Sequence, residues 1–203
     1  MFSATRPNDE AIRLFLTAQQ QLPYSYVEIG ATKTIPPQGY DIDHNRIQLG
    51  TGCELFAQAK EAVRRWEMFN LGWLQLWTPA APIAVGTTVA VLAHVWGIWV
   101  LNACRIVYVV DETGPTDTFG FAYGTLPGHV ERGEERFTVQ WSHADDSVWY
   151  DLLAFSRPNH WLTRLGYLYV RRLQKRFARA SQQAMLSAVS RATQPHSCFA
   201  PRS

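Results

Sequence analysis

The spacing of hydrophobic residues predicts three helices, two in the first third of the chain and one near its C-terminal end. Asn8–Gln21 repeats apolar residues every three to four positions, with Asn8 or Asp9 at the N-cap. Thr51–Trp66 has the same repeat, and the spacing of Thr51 and Glu54 is that of a capping box, so this helix is predicted to begin at Thr51. The longest helical pattern follows Ser156-Arg157-Pro158 and continues to about Ala192.

Between the second and third helices the hydrophobic period changes to two, which predicts strands. Short turns join these segments, and such strands pair antiparallel because parallel neighbours need long crossovers. Shorter extended segments are expected at Tyr24–Ile29 and Arg46–Leu49, on either side of a loop that contains proline and glycine. The main predicted strands are Trp73–Trp77, Thr87–Val95, Ile98–Val110, the hairpin Phe119–Trp141 and Val148–Phe155.

The order of these elements predicts an α+β fold in which a curved antiparallel sheet wraps around the long C-terminal helix. One helix covers only part of the concave face of such a sheet, so we expect a cavity between the two. The length of 203 residues suffices for one hydrophobic core. We therefore expect a single domain at residues 1–193 and a disordered tail at residues 194–203.

The hairpin Phe119–Trp141 contains the densest set of candidate functional residues. Its first strand alternates aromatic residues with Gly120 and Gly124, so one face is aromatic and the other is nearly bare. A bare face predicts the close approach of another backbone, a helix or a ligand. Pro127 and Gly128 predict the end of this strand. The connection that follows is predicted to hold one histidine and three glutamates: His129, Glu131, Glu134 and Glu135.

These four side chains are of the types that bind divalent metals or act as general acids and bases. The alternative is structural, because a carboxylate in a tight turn also accepts backbone amides or pairs with an arginine. No second histidine lies nearby in the sequence, so we expect neither a metal nor a cofactor. The candidates for catalysis are His129, Glu134 and Glu135.

Arg105 is the charged residue of an otherwise apolar predicted strand. A guanidinium buried there needs a carboxylate or the anionic group of a ligand. We expect Arg105 to pair with Asp151, Glu134 or Glu135. The alternative is that it faces the cavity and orients a lipid carboxylate or phosphate.

Ala80–Cys104 contains no Asp, Glu, Lys or Arg over twenty-five residues, which is long enough to span a bilayer. Prolines, glycines and β-branched residues interrupt it, and these breaks favour two buried strands over a membrane helix. The three cysteines form no CxxC pair, and the N-terminal residues contain no continuous apolar signal segment. We therefore expect a reduced, cytoplasmic setting.

The charges are distributed unevenly along the chain. Residues 152–203 contain nine of the nineteen lysines and arginines and none of the seventeen acids. This asymmetry raises an anionic membrane surface as a possible partner of the C-terminal helix. Nucleic acid is the weaker alternative, because the basic residues are not interleaved with an aromatic stacking platform.

The predicted cavity and the eight tryptophans favour the binding of a hydrophobic or amphipathic small molecule or lipid. One alternative is an enzyme with an acid/base or metal site at the predicted turn. Another is a membrane-associated or pore-forming protein. The candidate ligand-binding residues are Trp73, Trp96, Trp99, Arg105, Tyr123 and Trp141.

Two motifs of the hairpin resemble a known family. Phe121–His129, with the sequence FAYGTLPGH, is followed by Gly133-Glu134-Glu135 and then Phe137. Together they resemble the bacterial and plant family catalogued as domain of unknown function nineteen-ninety, over about Tyr24–Met185. The resemblance implies no particular activity and supplies no catalytic residues. The order of elements is also similar to the helix-grip fold of the START-like and birch-pollen-allergen-like superfamily, which implies an architecture rather than a function.

Overall fold

The computed structural model describes residues 1–78, 80–159 and 166–192, which form three helices around one antiparallel sheet. The helices are α1 (Asp9–Gln20), α2 (Cys53–Arg64) and α3 (Tyr167–Ala192). The strands are β1 (Phe2–Ser3), β2 (Asp41–Thr51), β3 (Leu74–Leu76), β4 (Thr88–Val95), β5 (Ile98–Glu112), β6 (Thr116–Thr125), β7 (Glu131–Ser142) and β8 (Ser147–Pro158).

The strands are ordered β2-β8-β7-β6-β5-β4-β3 across the sheet, and β1 pairs with β5. Every pair is antiparallel, as the short turns predict. The β2–β8 pair joins distant parts of the chain, from Asp41 opposite Ser156 to Thr51 opposite Ser147. The sheet is curved and holds the C-terminal helix, so the predicted helix-grip fold is confirmed.

Hydrophobic residues pack on both faces of the sheet. The concave face packs against α2 and α3, and aromatic rings from these layers meet there, with Trp66 and Phe121 4.6 Å apart and Phe69 and Phe137 5.4 Å apart between ring centroids. The convex face is partly covered by α1, whose Ile12 packs on strands β4 and β5. Burial of both faces explains why several strands are apolar on both sides.

The predictions for α1 and for the apolar segment Ala80–Cys104 are confirmed. The helix α1 begins at Asp9, and the Asn8 side chain accepts a hydrogen bond from the amide of Ala11 at 2.8 Å. The apolar segment contains β4 and the first part of β5, so it forms strands rather than a membrane helix.

The predicted start and end of the second helix are wrong. Thr51 is the last residue of β2, where it pairs with Ser147, so its side chain does not cap the helix. Gly52 occupies the N-cap at a φ of +99°, which glycine adopts without strain. The helix ends at Arg64, and Trp66 turns the chain at a φ of +56° while its indole donates to the carbonyl of Ala81 at 2.8 Å. Tertiary packing of Trp66 therefore overrides the helical repeat.

The predicted boundaries of the hairpin also need correction. Strand β7 begins at Glu131, opposite Pro158 of β8, so all three glutamates lie in the strand and only His129 lies in the connection. Ser156-Arg157-Pro158 ends β8 and does not begin a helix. Residues 160–165, where the C-terminal helix is predicted to begin, and the predicted tail at residues 194–203 lie outside the described residues.

The bare glycine face of β6 is filled by the protein itself. A Cβ atom on Gly124 would lie 2.2 Å from the hydroxyl of Tyr26, and one on Gly120 would lie 2.0 Å from the carbonyl of Phe137. Tyr26 comes from Tyr24–Ile29, which is irregular rather than the predicted strand. This segment covers the convex face, so the glycines do not line a ligand site.

Candidate functional site

A cavity of about 370 Å³ lies between the concave face of the sheet and α3. Its wall is mostly apolar because the inward positions of the strands meet the apolar side of the helix. The apolar wall includes Val100, Leu152, Ala154, Leu173 and Phe177. A few polar side chains interrupt this wall, among them Asn102, Tyr123, Glu135, Ser156 and Gln174.

Three of the six candidate ligand-binding residues line this cavity. Tyr123 projects into it from β6, and Trp73 lies where β3 begins, with the Arg176 guanidinium 4.5 Å from its ring. Trp96 lies in the turn between β4 and β5 and is 83% exposed, although its ring packs 4.3 Å from that of Tyr169. Trp96 therefore forms an exposed edge of the cavity wall.

The other two tryptophans, Trp99 and Trp141, do not line the cavity. Trp99 lies on the convex face, where its ring stacks 4.4 Å from His94. Trp141 is partly buried near α2, and its indole donates to Asp146 at 2.8 Å. Both are placed by ordinary strand alternation and packing.

Arg105 lies on the convex face and forms none of the predicted carboxylate pairs. Its Nη2 atom donates to the carbonyl oxygens of Gln20 at 2.8 Å, Leu22 at 3.0 Å and Gln19 at 3.2 Å. These carbonyls belong to the C-terminal end of α1 and the residues after it, where a helix leaves acceptors unpaired. Arg105 therefore caps a helix and does not face the cavity.

Glu135 is one of the acids in the cavity wall. It is half-buried, and its Oε2 atom accepts a hydrogen bond of 2.7 Å from the Tyr123 hydroxyl. Burial raises the pKa of Glu135 to about 8, and the negative charges of Glu131 and Asp43 add to this effect. At neutral pH this carboxyl is therefore mostly protonated.

Glu131 lies on the concave side of β7, as do Gly133 and Glu135. Its side chain contacts α3. Gln174 donates from Nε2 both to Glu131 Oε1 at 2.6 Å and to Ser156 Oγ at 2.8 Å. Burial raises the pKa of Glu131 to about 7, although the Arg171 guanidinium opposes this shift. This network ties the helix to β7 and β8 beside the cavity.

The cavity wall also contains an acid that is already paired with a positively charged side chain. Asp43 of β2 receives hydrogen bonds from Arg171 of α3 to both carboxylate oxygens, the Nη2–Oδ1 distance being 2.8 Å. Such a two-pronged pair fixes the relative positions of the two side chains. The positive charge of Arg171 is therefore already engaged.

His129 is the one predicted turn residue that remains in the turn. Its Nδ1 atom lies 3.0 Å from both the amide nitrogen and the carbonyl oxygen of Glu131, so it accepts from the first or donates to the second according to the tautomer of the ring. Burial lowers the pKa of His129 to about 4, so the ring is neutral at pH 7. Its side chain lines the cavity wall near Asn102.

Glu134 faces the opposite side of the sheet from the other two glutamates. Its carboxylate accepts hydrogen bonds from the Tyr26 hydroxyl at 2.7 Å, from the amides of Gly30 at 2.7 Å and Thr32 at 3.0 Å, and from the Thr32 hydroxyl. It is 2% exposed and stabilises the irregular segment that covers the convex face. Glu134 is also among the residues that line the cavity, but its carboxylate oxygens are taken up by these structural contacts.

Asp151 also lies on the convex face, one strand away from Glu134. It accepts a hydrogen bond from Arg136 at 2.9 Å, and its second oxygen lies 2.7 Å from Nε2 of His44. These partners satisfy the acid that was predicted to pair with Arg105.

The described residues contain no group of three or more His, Cys, Asp or Glu side chains that could hold a metal ion. None of the helices formed by the described residues is long and apolar enough to cross a membrane. Four basic residues of α3 are exposed and lie close together, at Arg172, Lys175, Arg176 and Arg179.

Sequence reasoning assigns no role to Gln174 or Asp43, although both line the cavity. The sequence does contain a signal that could have identified Gln174. It lies between Leu173 and Phe177, on the apolar side of a predicted helix. A polar residue there requires a partner when it is buried. Asp43 gives no such signal because its neighbourhood in β2 is largely polar, from Asp41 to Arg46.

Residues 25–184 match the family described as Domain of unknown function (DUF1990). A UPF0548 protein of Dictyostelium discoideum is 35% identical over 207 aligned positions, which cover 93% of this chain and 96% of the relative. A UPF0548 protein of Arabidopsis thaliana is 35% identical over 171 positions and 82% of each chain. One from Deinococcus radiodurans is 33% identical over 190 positions, covering 88% of this chain and 94% of the relative.

Two solved structures are similar at low identity. A hypothetical protein of Helicobacter pylori has a TM-score of 0.49 and 10% identity, covering 80% of this chain and 94% of its own. Human STARD10 has a TM-score of 0.46 and 11% identity, covering 92% of this chain and 81% of its own. At these values neither similarity carries an argument about a ligand.

Proposed function

Since this chain belongs to the DUF1990 family, whose description states no activity, we propose from its own geometry that it binds a hydrophobic or amphipathic small molecule, such as a lipid, between the sheet and α3. The cavity of about 370 Å³ is the observation that supports this proposal. Cavities of this kind, apolar with a few convergent polar groups, are the usual form of a small-molecule site.

The polar groups support an amphipathic ligand in particular. Tyr123, Glu135 and Gln174 project into an otherwise apolar space, so they fix the orientation of a ligand by hydrogen bonding. A purely structural core tends to exclude such groups, because each needs a partner when it is buried. A ligand with one polar end satisfies both parts of the wall.

Binding is tested with delipidated protein and an environment-sensitive fluorescent probe with an apolar body. Ala93→Phe and Ala154→Phe reduce the cavity from two different strands, β4 and β8, and each is expected to weaken probe binding about tenfold. Leu14→Phe on the exposed side of α1 is the matched control and is expected to leave binding unchanged. If the unsubstituted protein takes up no probe, lipid or fatty acid, the proposal is wrong.

Acid/base catalysis is a second candidate function, supported by the pKa values of Glu131 and Glu135 at about 7 and 8. Carboxyl groups that titrate near neutral pH are suited to proton transfer. A ligand recovered from the protein would then be converted on incubation, and His129→Ala and Glu135→Gln would slow conversion while leaving the melting temperature nearly unchanged. Recovery of the ligand unchanged would argue against catalysis.

An anionic membrane surface is the proposed macromolecular partner. The exposed basic side of α3 supports it, because four lysines and arginines lie along one helix face. The expected result is flotation with vesicles rich in anionic lipid at low salt, and loss of flotation in Arg172→Gln/Lys175→Gln/Arg179→Gln. Failure to float would contradict this part of the proposal.

We also propose that the protein works in the cytoplasm as a single domain at residues 1–193. The thiols of Cys53 and Cys104 are free, which suits a reducing compartment. Limited proteolysis tests the domain boundary, and one large fragment that ends near residue 193 is the expected product.

A further inference from the structure

We propose that the ligand of this cavity carries a cationic nitrogen, such as a primary ammonium group, which pairs with the carboxylate of Glu135 while its apolar body fills the space towards α3. This inference rests on the proposed binding function and names the chemical class of the ligand. An aliphatic or aromatic amine fits this description.

Glu135 has no cationic partner among the described residues, and it receives one hydrogen bond where Glu134, which also lines the cavity, receives four. The hydrogen bond of 2.7 Å from Tyr123 occupies Oε2. Asp43, in contrast, is paired with Arg171, and Glu131 is bound by Gln174. An ionised carboxylate in an apolar wall is normally paired with a positive group, so ionisation of Glu135 leaves one position for a positive group to be supplied by a ligand.

The remaining charges disfavour an anionic ligand. Arg171 is already engaged by Asp43, so the described side chains around the cavity offer an anionic ligand no free positive charge. His129 is neutral at pH 7, and its Nδ1 atom lies 3.0 Å from the backbone of Glu131. A fatty-acid carboxylate or a phosphate would meet an acid there without a free cation among the described side chains.

Binding of an ammonium group also changes the protonation state of Glu135. In the empty cavity, burial keeps this carboxyl mostly protonated near neutral pH. When an ammonium ion binds, the ionised carboxylate is favoured, so Glu135 releases its proton to solvent and the ammonium keeps all of its own. The Tyr123 hydroxyl already donates to this carboxyl and stabilises the ionised form.

An uncharged ligand of the same shape gains less from this site. A primary alcohol exchanges a hydrogen bond with the protonated carboxyl of Glu135 and forms no ion pair with it. A charge-assisted hydrogen bond is about twice as strong as a neutral one. The site should therefore discriminate between an amine and an alcohol that have the same carbon chain.

The test compares decylamine, decanol and decanoate by isothermal titration calorimetry on the delipidated full chain at pH 7. Decylamine is expected to bind at least about tenfold more tightly than decanol, and decanoate more weakly than either. In Glu135→Gln, the ratio of the amine affinity to the alcohol affinity is expected to fall to about one. Glu54→Gln, at an exposed position of α2, is the control and should keep the ratio of the unsubstituted protein.

Titrations of the unsubstituted protein in buffers of different ionisation enthalpy provide a measurement that does not depend on the folding of a variant. Decylamine binding at pH 7 should release close to one proton, and decanol binding should release none. Equal affinities for the three probes, tightest binding of decanoate, or amine binding without proton release would each overturn the amine assignment while the proposed cavity binding stands. Binding of none of the three probes, together with no uptake of the fluorescent probe, would overturn the proposed function itself.

Discussion

Glu134 and Glu135 are neighbours in sequence, and their side chains lie on opposite faces of β7. Glu134 is held by four hydrogen bonds from the segment that covers the convex face, whereas Glu135 faces the cavity and receives one from Tyr123. Strand alternation alone produces this separation. Two identical side chains therefore have different roles, one in stability and the other at the candidate site.

Glu134→Gln is expected to lower the free energy of unfolding by about 3 kcal/mol. The amide replaces one accepting oxygen with a donor. At least one of the buried donors of Tyr26, Gly30 and Thr32 is then left without an acceptor. Urea unfolding at pH 7 measures the change. Glu135→Gln is the matched substitution on the same strand, and it should cost much less; equal losses in the two variants would contradict the division of roles.

Stability is expected to fall as pH rises from about 6.5 to 8. The folded state raises the pKa of Glu131 and Glu135 from 4.5 to about 7 and about 8, so it holds protons that the unfolded chain has released. Each such group contributes a slope of up to about 1.4 kcal/mol per pH unit. Below pH 6.5, His129 acts in the opposite direction, because folding lowers its pKa to about 4.

Urea unfolding at pH 6.5 and 8.5 checks this prediction, and Glu135→Gln isolates the contribution of one carboxyl. The variant should lose less stability over this range than the unsubstituted protein. The amino group of Met1, whose pKa is lowered by burial, acts in the opposite direction in both proteins and cancels in the comparison. Identical pH profiles would show that Glu135 does not titrate in this range.

Gly124→Ala is expected to destabilise the protein by about 2 kcal/mol, since overpacking of a filled site forces the backbone to shift. The new methyl group would lie 2.2 Å from the hydroxyl of Tyr26, which is itself held by Glu134. Gly114→Ala is the control, because nothing lies within 4 Å of its added Cβ atom. Thermal unfolding of the two variants should therefore differ by several degrees, and equal melting temperatures would refute the close approach.

Arg105→Met is expected to cost about 2 kcal/mol and to loosen the end of α1. The substitution removes hydrogen bonds from a charged donor to three carbonyl oxygens, which include those of Gln20 and Leu22. Hydrogen exchange should increase in the last turn of α1 more than in β5. Arg65 lies on the surface with its guanidinium 3.8 Å from the carboxylate of Glu67. Arg65→Met should therefore change the free energy of unfolding by less than about 0.5 kcal/mol. Unchanged exchange in α1 would contradict the capping role.

The sequence predicts much of the fold because its signals are local. Alternation and short turns give the antiparallel strands from β4 to β8, and the pair Asn8 and Asp9 marks the start of α1 to within one residue. The placement of the glutamates is missed because charged residues beside glycine are typical of turns, whereas β7 extends through Glu131, Gly133 and Glu135 opposite β8. Strand β7 begins five residues earlier than predicted. The candidate glutamates therefore lie in a strand rather than in a turn.

The partners of these residues are the part that the sequence does not predict. Tyr26 reaches Glu134 across 108 positions, and Gln174 reaches Glu131 across 43, so no periodic pattern connects them. Tryptophan is similarly ambiguous, because its large apolar ring suits either face of a two-sided sheet. Trp73 and Trp96 therefore line the cavity while Trp99 packs on the convex face.

A ribosome completes β2 long before it makes β8, the strand that pairs with β2 along its whole length. During synthesis β2 has no partner in the sheet until Pro158 has left the exit tunnel, so the sheet closes only when most of the chain exists. Charged side chains at Asp41, Asp43 and Arg46 make the unpaired strand a poor template for pairing with another nascent chain. The polarity of β2 therefore protects the growing polypeptide as well as the edge of the finished sheet.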